Sequence, residues 1–179
     1  MTYYVRKFAR AKWCLLDNTD DDSILNYRAD TIANDLKTTN NSLSIWKAAS
    51  LENDDLEPIV LVNSLMSDKI RKIDLLCIPD SIISSYSLVQ EDGDTVVDEY
   101  RNSHYNITSL TIKRLIDFAD KVVLKIIKNE SGTIVSVTVP EQLEIIIRWI
   151  RSGKLSFDDL KDTQKEAVKK QLAKFKLDS

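Results

Sequence analysis

Hydrophobic and polar positions follow two different periods along this chain, so they predict both strands and helices. Residues Tyr3 to Phe8 mix aromatic and β-branched side chains with basic ones, a pattern typical of a short strand. The run from Ile73 to Ile78 is almost continuously apolar, which predicts a strand that is buried on both faces and is the most central in the chain. Further strands are predicted near Leu43 to Ala48 and from Thr133 to Val139.

Helical periodicity predicts most of the remaining structure. An amphipathic pattern runs from Ser109 to Ile126, with Thr108 or Ser109 as its expected N-cap. Pro140 suits the first turn of a helix over Glu141 to Ser152, which Gly153 should end. Three more helices are predicted over residues 23–36, 56–66 and 156–174. Together these elements predict an α/β or α+β domain, with a mixed sheet of about four to six strands and about five helices.

The stretch from Asp80 to Asn106 is the least regular part of the pattern. A hairpin is predicted within it, with Ser87–Gln90 joined to Thr95–Val97 by a turn at Gly93. No internal repeat or low-complexity linker divides the chain, so residues 1–179 are predicted to form a single compact domain. A softer division into two lobes stays open, with 1–104 mixed α/β and 105–179 mostly helical with one strand.

Scarce residue types exclude several kinds of site. The chain has 179 residues, of which three are Gly, two are Cys and one is His. The glycines are too widely spaced for a phosphate-binding glycine loop, and one His excludes a zinc site with two or three imidazoles. We therefore predict no metal and no cofactor. Cys14 and Cys77 lie beside apolar residues and are expected to be reduced core residues, which indicates a cytoplasmic protein.

Charge and hydropathy limit the partners. The net charge of −3 argues against a chain-wide nucleic-acid surface, although it allows a local one. No apolar run approaches the roughly 20 residues that a membrane-spanning helix needs, so no membrane association is expected. The acidic run from Asp17 to Asp22 lacks the Gly and Glu of a calcium-binding loop and is predicted to be a solvated loop that caps a helix.

The segment from Asp98 to Asn106 concentrates the groups that a metal-independent nuclease would use. His104 or Glu99 would move a proton in such an enzyme. Arg101 would stabilise the charge of the phosphorane, and Tyr105 would orient the substrate or donate a proton. The alternative is a polar surface loop whose tyrosine rings pack into the core. These residues are therefore predicted to be catalytic only if the chain is an enzyme.

The C-terminal helix offers a basic surface. Lys165, Lys169 and Lys170 are candidates for contact with a nucleic-acid backbone. The alternative is a terminal helix that packs on its own domain, because its acids lie toward the N-terminus and its lysines toward the C-terminus, as the helix dipole favours.

A second helical segment is apolar on more than one face. Ile146, Trp149 and Ile150 belong to it, and Phe175 near the C-terminus adds another large apolar side chain. Such a helix must be buried on two sides, either inside its own domain or against another subunit. These residues are therefore the candidates for protein–protein contact, with a different protein or with a second copy of this chain.

Missing catalytic motifs and the apolar helix together favour a non-enzymatic function. We expect a protein-binding or regulatory subunit that acts through protein–protein contacts. The richness in Ile, Lys, Asn and Asp suggests an AT-rich bacterial genome, and a mobile-element, toxin–antitoxin or phage-defence system would fit that setting. A small nuclease or toxin-like enzyme centred on Arg101 and His104 is the first alternative. A nucleic-acid-binding accessory protein is the second.

Overall fold

The structure is a computed structural model, and it describes residues 1–13, 24, 27, 29–91 and 97–177. Its strands are β1 (Tyr3–Phe8), β2 (Leu43–Ala48), β3 (Ile73–Pro79), β4 (Leu88–Gln90), β5 (His104–Ile107) and β6 (Thr133–Val137). Its helices are α1 (Ala29–Asp35), α2 (Asn53–Met66), α3 (Asp80–Ile83), α4 (Ile112–Phe118), α5 (Lys125–Ile127), α6 (Val139–Arg151) and α7 (Asp162–Leu177). A π-helical segment, Ala119–Leu124, joins α4 directly to α5.

The six strands form one sheet in the order β4-β5-β2-β1-β3-β6, and every strand pairing is antiparallel. The prediction of an α+β domain with four to six strands is confirmed, whereas the sheet is antiparallel rather than mixed. The chain forms a single compact domain. The boundary suggested for two lobes falls between His104 and Tyr105, inside β5, which pairs with a strand on each side.

Side chains alternate between the two faces of the sheet along each strand. Both faces carry apolar side chains, and helices cover both of them. Val5 and Cys77 point toward one face, where they pack in a core with residues of α2, α6 and α7. Tyr4 and Ile78 point toward the other face, where the core includes Phe118 and residues of α5 and of the π-helical segment. This alternation accounts for the nearly continuous apolar run in β3.

One strand prediction needs correction. β3 is not the most central strand, since β1 and β2 occupy the middle of the sheet and β3 has only β6 beyond it. Burial on both faces follows from the two helical layers and not from a central position. Within the described residues β4 pairs with β5, with Gln90 opposite Tyr105. The predicted hairpin partner of β4, Thr95–Val97, lies outside the described residues apart from Val97, which precedes a 3-10 segment, Asp98–Ser103.

The predicted helix boundaries are partly right. α6 begins beside Pro140 and has a capping box formed by Thr138 and Glu141. α4 begins later than predicted, because Ser109 has a left-handed φ of 59° and the N-cap is Thr111. The predicted start of the first helix at Ser23, the acidic run and Cys14 lie outside the described residues. None of the helices in the described part of the chain combines the length and apolar character needed to cross a membrane.

Candidate anion-binding cleft

A cleft of about 630 Å³ lies where the end of α2 leads into β3. Four cationic side chains line it. Lys7 comes from β1, whereas Lys69, Arg71 and Lys72 come from the short loop between α2 and β3. We call these four residues the cationic cleft. All four are exposed, so their charged groups are accessible to a ligand.

The cations of this cleft are mostly unpaired. Lys72 lies 3.6 Å from the carboxylate of Asp74, but no described carboxylate lies within 4.0 Å of Lys7, Lys69 or Arg71. Asp68 also lines the cleft, and its carboxylate is bound to the Lys161 ammonium group at 2.8 Å. That hydrogen bond and charge lower the pKa of Asp68. The cleft therefore has a local excess of positive charge on a chain whose net charge is −3.

Two buried glutamines fix the loop that carries the cations. Gln142 of α6 is 1% exposed; its Nε2 donates to the carbonyl of Arg71 at 2.7 Å, and its Oε1 accepts from the hydroxyl of Ser64 at 2.9 Å. Gln164 of α7 is equally buried, and its Nε2 donates to the carbonyl of Ser67 at 2.7 Å. Buried amides with satisfied hydrogen bonds hold a backbone in one arrangement. The charged side chains therefore project from a positioned backbone.

Lys7 is the cation that links the loop to the sheet. Its Nζ donates to the hydroxyl of Ser67 at 2.9 Å. Surrounding protein removes part of its water, which lowers the pKa of Lys7. A cation that has lost water and has no carboxylate partner gains more from a bound anion than a fully solvated one.

A second cleft of about 630 Å³ adjoins the first and shares Lys7, Met66, Lys72 and Ile73 with it. Polar and charged residues, including Lys12 and Asn63, contribute to its lining, but most of its exposed surface is apolar and comes from Phe8, Ala9, Ala11, Trp46, Met66 and Ile73. We call these six residues the apolar pocket.

Arg6 borders the apolar pocket but is held by the protein itself. It donates to the carbonyl of Asp35 at 2.8 Å and to that of Ser44 at 2.6 Å. Burial lowers the pKa of Arg6 to about 10, so the side chain is still charged at neutral pH. Arg6 therefore shapes part of the wall of the apolar pocket and places a fixed positive charge there.

The structure separates two of the predicted catalytic residues. His104 and Tyr105 are neighbours in β5 and point to opposite faces of the sheet. The His104 ring packs on Trp46 with 4.9 Å between centroids, whereas the Tyr105 ring packs edge-on against Tyr4 at 5.5 Å. The Tyr105 hydroxyl donates to Gln90 Oε1 at 3.3 Å. Two groups on opposite faces cannot act on the same phosphate.

The other members of the predicted catalytic set precede the strand. Arg101 is exposed, and Glu99 shares the 3-10 segment Asp98–Ser103 with it. The Nδ1 atom of His104 is buried without a hydrogen-bond partner, and burial lowers the pKa of His104. His104 is therefore neutral at pH 7 and acts as a packing residue in this structure.

The residues predicted to contact another protein lie mainly inside this chain. Ile146 is fully buried and Trp149 is 6% exposed, because α6 packs between α2 and α7. The indole Nε1 of Trp149 donates to Glu57 at 2.5 Å. Ile150 is half-buried, and Phe175 belongs to α7. The two-sided burial inferred from the sequence is thus provided by helices of the same chain.

The lysines predicted on α7 are separate from the cationic cleft. Lys169 and Lys170 are exposed and Lys165 is half-buried, and none of them lines the cleft. Lys169 lies over the ring of Phe157 at 5.7 Å. Sequence reasoning missed the cleft lysines, although the spacing of Lys69, Arg71 and Lys72 just after an apolar helix was a visible signal.

The described residues contain no group of three or more side chains suited to hold a metal ion. Comparison of the chain with protein-family models, with curated proteins and with solved structures finds no match.

Proposed function

We propose that this chain is a non-enzymatic accessory protein that binds the phosphate backbone of a nucleic acid through the cationic cleft. The observation that carries the proposal is the set of cations without carboxylate partners, Lys7, Lys69 and Arg71, in one concave surface of an acidic chain. The successive phosphates of a nucleic-acid backbone can each contact a different cation of the cleft. When these cations neutralise the phosphates, condensed counterions are released, which favours binding.

The fixed loop supports binding rather than a plain solvated surface. Gln142 and Gln164 position the backbone before any ligand arrives, so less conformational entropy is lost on binding. Arg71 adds a planar guanidinium whose parallel N–H donors match two phosphate oxygens at once, a geometry that the ammonium group of a lysine does not offer. Localised charge of this kind is compatible with the net charge of −3.

Binding titrations at several salt concentrations test the proposal. The probe is a labelled oligonucleotide of mixed sequence, and the test variant is Lys7→Ala/Lys69→Ala/Arg71→Ala. We expect this variant to bind at least about tenfold more weakly and its salt dependence to fall by about two to three in log–log slope, since each lost phosphate contact removes roughly 0.7–0.9.

The matched control is Lys165→Ala/Lys169→Ala/Lys170→Ala, which removes the same charge from α7. It should bind nearly as the wild type does. An equal loss in both variants would assign binding to net charge alone, and absence of salt-dependent binding in the wild type would refute the proposal.

The second candidate function is that of a protein-binding or regulatory subunit, which is the function that the sequence pattern favours. Ile112 and Ile116 are 81% and 39% exposed and lie one turn apart on α4, a placement suited to contact with another protein or a second copy. Ile112→Glu/Ile116→Glu should then abolish self-association or partner capture without affecting the melting temperature. A monomeric wild type that captures no partner contradicts this candidate.

The proposed setting is the bacterial cytoplasm. Cys77 is a free thiol buried in the core, and burial raises its pKa to about 12, which keeps it protonated and unreactive. A buried reduced cysteine suits a reducing compartment. Membership of a mobile-element, toxin–antitoxin or phage-defence system stays part of this proposal, and its support is the composition of the chain alone.

A further inference from the structure

We infer that the apolar pocket receives an unstacked base, so that the nucleic acid bound by this chain is single-stranded. This inference rests on the proposed function and specifies its ligand. In a duplex, the bases are paired and stacked, and only the phosphates and groove edges reach a protein surface. A single strand can turn a base toward the protein, where apolar and aromatic side chains cover it.

The two clefts have complementary chemistry at a short distance. Charged side chains are concentrated in the cationic cleft, whereas most of the exposed surface of the neighbouring pocket is apolar. Met66 lies at the end of α2, lines both clefts and is 64% exposed. Covering this apolar side chain with a ligand would remove it from water. A nucleotide has the same division, with an anionic phosphate beside a flat base of low polarity. A pocket of about 630 Å³ is in the size range of small-molecule sites and has room for one base.

Polar groups in the wall of the apolar pocket lack partners. Trp46 is 8% exposed, and its indole Nε1 donates to no acceptor among the described residues. Asn63 donates Nδ2 to the carbonyl of Ile59 at 2.7 Å, while its Oδ1 has no donor among the described residues. Asn34 is exposed at the rim of the pocket, and the oxygen and nitrogen of its side-chain amide are both available for hydrogen bonding. A base edge offers donors and acceptors that match such groups.

Each carboxylate that lines the pocket has a cation near it. Asp35 interacts with the charge of Arg6, and its Oδ2 accepts from the backbone N–H of Ala9 at 2.8 Å and from the indole of Trp13 at 2.7 Å. Asp74 is bound to Lys72 and to the hydroxyl of Ser136. Lys7, which has no carboxylate partner among the described residues, adds positive charge at the shared rim.

The test compares three probes of equal length and label on the wild-type protein: a single strand, the same strand with abasic sites, and the duplex. Base burial predicts that the single strand binds about tenfold or more tightly than the abasic strand, since covering one base contributes a factor of this order. The duplex should bind no better than the abasic strand.

A pair of variants assigns the effect to the pocket. Met66→Glu places a charge in the shared wall and should remove the preference for the single strand, whereas Val89→Glu makes the same kind of change at an exposed position of the edge strand β4 and should preserve it. Equal binding of all three probes, still lost in Lys7→Ala/Lys69→Ala/Arg71→Ala, would overturn this inference and leave the proposed function standing. Failure of every probe to bind would overturn both.

Discussion

The cationic cleft and the segment Asp98–Asn106 both concentrate functional groups, yet they differ in how those groups are arranged in space. The segment brings its acid, base, cation and phenols together in sequence, and β5 then sends His104 and Tyr105 to opposite faces. The cleft takes Lys7 from β1 and its other cations from a loop some 60 residues away, and the fold brings them to one surface. Proximity in sequence is thus a poor guide to convergence on a ligand when the residues lie in a strand.

The largest expected effect comes from loosening the loop of the cleft. Gln142→Leu keeps most of the side-chain volume but leaves the carbonyl of Arg71 and the hydroxyl of Ser64 without this partner. We expect a loss of about 2–3 kcal/mol in the free energy of unfolding, measured by urea denaturation, together with weaker oligonucleotide binding. Gln171→Leu, which changes a side chain that makes no hydrogen bond with the described residues, should cost much less. Equal losses would mean that the buried amide does not fix the loop.

A matched pair of arginines compares the two regions directly. Arg71→Ala should weaken oligonucleotide binding by about fivefold to tenfold and lower the salt slope by about one, because one phosphate contact is lost. Arg101→Ala removes the same charge from the segment Asp98–Ser103 and should leave affinity and slope nearly unchanged. A larger effect at Arg101 would return the functional site to that segment.

A smaller effect concerns the pH dependence of stability. The pKa of His104 is lowered in the folded state, so the unfolded chain binds its proton more readily and stability falls as the pH drops below about 6.5. In His104→Phe the ring stays on Trp46 but no longer titrates. Since the chain has one histidine, the difference between the two denaturation profiles isolates this residue. The variant should lose less stability between about pH 7 and 5, and parallel profiles would show that His104 titrates normally.

The smallest effect is expected at Tyr105. Tyr105→Phe removes one exposed hydrogen bond to Gln90 and keeps the edge contact with Tyr4. The free energy of unfolding should fall by less than about 1 kcal/mol, and oligonucleotide binding should not change. Any nucleolytic activity of the wild type that vanished in Tyr105→Phe while stability held would support the catalytic alternative.

Local sequence signals determined the elements of this protein. Tyr3–Phe8 is a strand as predicted, and Thr138, Pro140 and Glu141 start a helix through a cap that requires only neighbouring residues. The apolar face of α6 was equally visible, and so was its need for cover on two sides. These features depend on contacts within a few residues or on a period that the backbone imposes.

Tertiary structure alone decided which elements meet. β4 pairs with β5 across 13 intervening residues, and α6 is covered by α2 and α7 of the same chain. The cleft likewise exists only because Gln142 and Gln164, far along the chain, hold the loop that carries Arg71 beside Lys7. Which elements pair over a long sequence separation depends on how all the layers of the fold pack together. A local hydrophobic period in the sequence does not contain that information.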